Sequence, residues 1–142
     1  MKTTPKDNKI CFDKEEREQI VFHRHYDPKV YEDGYGISKF EDLPLDVIKQ
    51  LIEKGHMNSE DYMNCSPTVS EFVEFVEEHN PANWRFHGYV VSAERDDTRV
   101  TIEGINSVKP LGKDDLIDFL QEYRFADELI AERDKAVYCW YD

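Results

Sequence analysis

Apolar residues recur along this chain with two different periods, and the change from one to the other marks out its elements. Val47, Ile48, Leu51 and Ile52 fall at i, i+1, i+4 and i+5, which places them on one side of a helix, while Glu53 and Lys54 lie off that stripe. Pro44 suits a first helical position, Asp46 the positive end of the helix dipole, and Gly55 the residue just past the end. A helix is therefore predicted over 44–54. Val69, Phe72, Val73 and Val76 make a second stripe. Thr68 and Glu71 have capping-box spacing and Asn80-Pro81 closes the segment, which predicts a helix over 68–79. A third helix, 113–124, turns Leu116, Ile117, Leu120 and Tyr123 inward and carries Asp114 and Asp115 at its N-terminus.

Period two dominates residues 86–105. A turn at Asp96-Asp97 would set Ala93 opposite Val100 and Val91 opposite Ile102, with Glu94 facing Arg99 on the other side. The face formed by Tyr89, Val91, Val100 and Ile102 then gives the helices a common apolar partner. Val137 to Tyr141 is rich in strand formers and Glu132 to Lys135 suits a turn. A second hairpin over 128–141 is expected, against the alternative that the third helix runs on. Residues 14–26 fit either a helix or a short strand, and Asp27-Pro28 ends both. Residues 31–42, with Gly34 and Gly36, read as a loop, and 1–10 as a loose tail. The expected fold class is α+β: a single domain over 11–142, with an antiparallel sheet packed against about three helices.

Charge changes the picture of the surface more than that of the fold. The 142 residues include 31 Asp and Glu against 18 Lys and Arg, a formal net charge of −13. Residues 27–83 and 113–142 hold most of the excess acid, whereas the central hairpin is close to neutral. Such a field repels nucleic acid and anionic lipid and attracts basic partners. The order helix, turn, helix, hairpin over 44–105 resembles a winged helix-turn-helix in outline. Its second helix bears Glu71, Glu74, Glu77 and Glu78 and no Lys or Arg, so it is repelled by phosphate, and direct nucleic-acid binding is not expected. Eight Phe, eight Tyr and two Trp set the chain apart from disordered acidic sequences. No apolar run reaches the length of a membrane span or a signal peptide. Three scattered cysteines, Cys11, Cys65 and Cys139, suit a reducing compartment, so a cytoplasmic location is expected.

Candidate chemistry is sparse. His23 and His25 at i, i+2 would project to one side of a strand, where Asp27 or Glu32 could complete a metal set. On a helix the pair would separate. His56 and His79 follow helix ends, where capping explains them, and His87 has no partner at metal spacing. Cys65 lies near a helix start among acids that would raise its pKa. No GxSxG or GxxxxGK[ST] motif occurs. The mixture of aromatic and acidic side chains at Tyr31, Asp33, Tyr35, Phe40 and Glu41 offers a contact surface for a basic protein. The alternative is that the rings plug the core. The expectation is thus a small acidic protein that binds a basic protein surface without catalysis or cofactor, one variant being a nucleic-acid mimic. A metal-dependent hydrolase built on His23 and His25 is the alternative.

Overall fold

The computed structural model describes residues 13–32 and 34–142. Among these, four α-helices and a five-stranded antiparallel sheet form a single α+β domain. In chain order they are α1 (Lys14–Phe22), β1 (Ile37–Leu43), α2 (Leu45–Glu53), α3 (Val69–Glu78), β2 (Trp84–Val91), β3 (Arg99–Ser107), α4 (Lys113–Glu122), β4 (Glu128–Ile130) and β5 (Tyr138–Trp140). The sheet order is β1-β2-β3-β5-β4. The three predicted helices and both predicted hairpins are present, within a residue or two of their expected limits. The expected tail 1–10 lies outside the described residues.

The local signals behave as the physics requires. Thr68 accepts from the Glu71 backbone and Glu71 reaches back to the Thr68 N–H, completing the capping box of α3. Residues 14–22 are helical: Asp13 accepts from the Glu16 N–H at the start, and His23 ends the turn in the left-handed conformation. Buried charge is what α1 turns toward the protein. Glu18 accepts from Arg24 Nε and from the Tyr31 hydroxyl, both at 2.7 Å, and the Arg17 guanidinium donates to Thr98 Oγ1 at 2.7 Å.

Two expectations are corrected. Residues 37–43, expected within a loop, form the edge strand β1, paired with β2. The central hairpin is joined by seven residues, 92–98, rather than a two-residue turn. Val90 therefore lies opposite Val100 and Gly88 opposite Ile102, three positions from the expected register on β2. The longer loop is held from outside. Thr98 bonds the Val91 carbonyl and receives Arg17, while Arg95 grips Asp97 and the Tyr35 carbonyl. A shift by an odd number of residues exchanges the faces of a strand, and Tyr89 and Val91 accordingly leave the helix side. A bulge between His87 and Gly88 adds Glu103 to β3 and restores the alternation beyond it.

One face of the sheet carries Phe40, Trp84, Phe86, Val90, Val100, Ile102, Ile105 and Cys139. These pack with Ile48, Leu51, Phe72, Phe75, Val76, Phe119 and Tyr123 from the helical side in one core cluster. Its centre is aromatic: Trp84 stacks on Phe119 with ring centroids 5.7 Å apart, and Phe75 meets Trp84 edge-on at 5.6 Å. No helix among the described residues is long and apolar enough to cross a membrane.

Candidate binding cleft on the open sheet face

Among the described residues no helix covers the opposite face, and strand alternation decides what it presents. Lys39 opposes Tyr89, His87 opposes Gly104, Asn106 opposes both Arg85 and Tyr138, and Trp140 opposes Glu128. A cleft of about 600 Å³ runs across these strands, lined among others by Lys39, Glu41, His87, Glu103, Tyr138 and Trp140.

Two features build its floor. The His87 ring lies over Gly104 and crosses to β5, where Nε2–H donates to the Cys139 carbonyl at 2.9 Å. A Cβ on Gly104 would come 2.6 Å from that nitrogen and 1.9 Å from the carbonyl oxygen, so the crossing depends on a residue without a side chain. The ring also stacks on Tyr138, centroids 4.9 Å apart and 12° from parallel. Burial holds the His87 pKa below its ordinary value, against the opposing pull of Asn106, the Cys139 carbonyl, Glu103 and Glu41. The imidazole is therefore neutral at pH 7, with its proton on Nε2.

The second feature is Glu103, whose side chain is only 8% exposed and whose partner is Lys39 Nζ at 3.3 Å. Lys39 itself is 62% exposed and reaches in from the edge strand. Burial and the charges of Glu128, Glu103 and Glu41 together push the Tyr138 hydroxyl pKa up, so three carboxylates act on one ring. Arg85, on the same face, is turned away: it donates to the Ala82 and Trp84 carbonyls and lies 3.8 Å from Asp42. The cleft thus combines aromatic walls, one buried carboxylate, two more at its rim, and a single lysine.

The residues singled out in the sequence are dispersed. Tyr31 is buried, bonded to Glu18, and Phe40 is part of the core, so neither ring is available to a partner. Tyr35 is 90% exposed beside the hairpin loop, Glu41 lines the cleft, and Asp33 lies outside the described residues. His23 is an exposed helix cap, and His25, also exposed, bonds Glu15 at 2.9 Å; neither joins a group of metal-ligating side chains among the described residues. Cys65 is exposed, and burial pushes the Cys139 thiol up to about 12, which keeps it protonated. The other cleft residues were missed because they come from different strands. Their sequence signal is faint: a glycine within a strand pattern, Gly104, marks a bulge or a close approach.

Comparison with protein-family models, with curated proteins and with solved structures finds no match to this chain.

Proposed function

We propose that this protein is a non-catalytic binding protein that recruits a basic partner through the cleft on its open sheet face. The observation that carries the reading is the buried Glu103 carboxylate, whose one ion-pair partner among the described residues is the exposed Lys39. A lysine or arginine from a partner can take the place of Lys39. It would meet Glu103 in a low-dielectric site, with Tyr138 and Trp140 supplying ring surface against its charge. The net charge of −13 steers such a partner from a distance, and the cleft gives the encounter a fixed end point. Nothing in the placement of His23 and His25 favours a metal-dependent hydrolase.

A fluorescent Lys/Arg-rich peptide, followed by anisotropy over a salt series, tests the reading. Glu103→Gln is expected to weaken binding about tenfold or more, as loss of a desolvated charge partner should, while Glu74→Gln on the exposed face of α3 leaves it unchanged. Equal affinity for both variants, or no weakening between low and physiological salt, would refute the proposal.

A further inference from the structure

A different place in the fold carries the chemistry of a cation site. His79 caps the C-terminus of α3 with its ring flat on Phe75, centroids 4.0 Å apart, and Nδ1 lies 2.7 Å from the Phe75 carbonyl. A carbonyl only accepts, so Nδ1 bears a proton and the only ring lone pair available is on Nε2. Nε2 faces Asp118 Oδ2 at 3.0 Å. Asp115, three residues before Asp118 on α4, completes the group, with the candidate ligand atoms of all three within 4.8 Å of one another.

We infer that His79, Asp115 and Asp118 form a binding site for a first-row divalent transition cation such as Zn²⁺, clamped between the end of α3 and the start of α4. Two acceptors, a neutral Nε2 and a carboxylate oxygen, repel at 3.0 Å unless a positive charge joins them. One bound proton can do so, but it leaves the two carboxylates and one imidazolium with a net negative charge. Neither aspartate is paired with a lysine or arginine among the described residues. A divalent ion removes the repulsion and neutralises both carboxylates.

The local structure is already arranged in the way metal ligands require. A ligating histidine characteristically donates its second ring N–H to a carbonyl or carboxylate, which fixes tautomer and ring direction. The Phe75 carbonyl performs that task here, and Trp84 Nε1–H anchors the His79 carbonyl at 2.7 Å. In the tetrahedral geometry of Zn²⁺, ligand atoms about 2.1 Å from the ion stand about 3.4 Å apart, so the His79–Asp118 pair, at 3.0 Å, need open only by a few tenths of an ångström to admit it. The carbonyl end of α3 adds partial negative charge. One nitrogen and two carboxylate oxygens suit Zn²⁺, Co²⁺ or Mn²⁺ better than Mg²⁺, which prefers oxygen and retains its water.

Chelator-treated full-length protein, titrated with Zn²⁺ or Mg²⁺ and followed by calorimetry, provides the test. Zn²⁺ is expected to bind with unit stoichiometry and, at a hundredfold excess over its dissociation constant, to raise Tm by about 5–10 °C. Mg²⁺ should give a far smaller effect. Asp115→Asn and Asp118→Asn alter exposed or half-exposed positions on α4 and leave the core intact. Each should weaken Zn²⁺ at least tenfold and abolish the visible absorption of bound Co²⁺. No Zn²⁺ effect on the wild type would overturn the inference and leave the group as a histidine–aspartate ion pair. So would an equal effect in both variants, which would place the ion elsewhere.

Discussion

Replacing Gly104 by alanine should unmake the cleft from its floor. The added Cβ would lie 1.9 Å from the Cys139 carbonyl oxygen and 2.6 Å from His87 Nε2. In a close-packed interior β5 must retreat by about 1 Å to admit it. Overpacking of this kind costs about 1–3 kcal/mol. Retreat of β5 also breaks the His87–Cys139 bond (2.9 Å) and the Tyr141 N–H to Glu103 carbonyl bond (2.8 Å), each worth about 1 kcal/mol. The expected loss is about 3–5 kcal/mol, or roughly 10–15 °C in Tm for a domain of this size. Urea unfolding at constant m-value measures it. Gly112→Ala is the control. Nothing lies within 4 Å of a Cβ there, and the change at a helix N-cap should cost under about 1 kcal/mol. A Gly104→Ala protein within about 1 kcal/mol of wild type would show that the strand yields freely and that the crossing of His87 is not set by steric room.

Three further outcomes are expected. Lys39→Met removes the internal occupant of the Glu103 site and should tighten binding of a Lys/Arg-rich peptide several-fold in the anisotropy assay; weaker binding would mean that Lys39 contacts the partner itself. The Tyr123 hydroxyl is buried without a hydrogen-bond partner among the described residues, so Tyr123→Phe should leave stability unchanged or raise it by about 1 kcal/mol in urea unfolding. A loss of similar size would reveal a partner, such as an ordered water. The third concerns pH. At His79 burial lowers the pKa, but the Phe75 carbonyl, Asp118 and Asp115 more than reverse this, so the folded value exceeds 6.5. Its contribution is present below pH 6.5 and is lost as pH rises through the folded value. His87, facing Asn106, Glu103, Glu41 and the Cys139 carbonyl, has a lowered pKa; its neutral form contributes above pH 6.5, and that contribution is lost as pH falls. In the absence of metal, His79→Gln should flatten the stability profile above pH 6.5 and leave the acid limb in place. An unchanged alkaline slope would contradict the assignment.

What could be read in the sequence and what could not divide along physical lines. The helices α2, α3 and α4 were legible because each buries an apolar stripe of its own and carries its boundary signals locally, as Thr68 and Glu71 do. Helix α1 was ambiguous because its inward face includes Arg17 and Glu18, whose partners Thr98, Arg24 and Tyr31 lie elsewhere in the chain. The strand β1 was read as a loop for a related reason: an edge strand bearing Lys39, Glu41 and Asp42 has the composition of a solvated segment. The register of the central hairpin depended on Arg17, Tyr35 and a bulge, none of them visible in the alternation of its own residues. Of the acidic and aromatic positions that the sequence offers, Glu41 and Phe40 border the cleft, Phe40 as part of the core. The rest of that cleft is assembled across strands far apart in sequence, which spacing along a single chain does not encode.

The alternation of β2 has a consequence for how this protein can change. Trp84, Phe86 and Val90 hold the helices, whereas Arg85, His87 and Tyr89 look out on the opposite side. Two independent messages are interleaved in one strand of eight residues. On the proposed binding reading, substitutions at Lys39, Tyr138 or Trp140 would retune what the outward side recognises while the inward side keeps the molecule folded. Gly104 is the point at which the two messages meet, because there the outward ring rests on the backbone itself. On the proposed reading, new specificity is accessible at Lys39, Tyr138 and Trp140 but not at Gly104, where a side chain has no room.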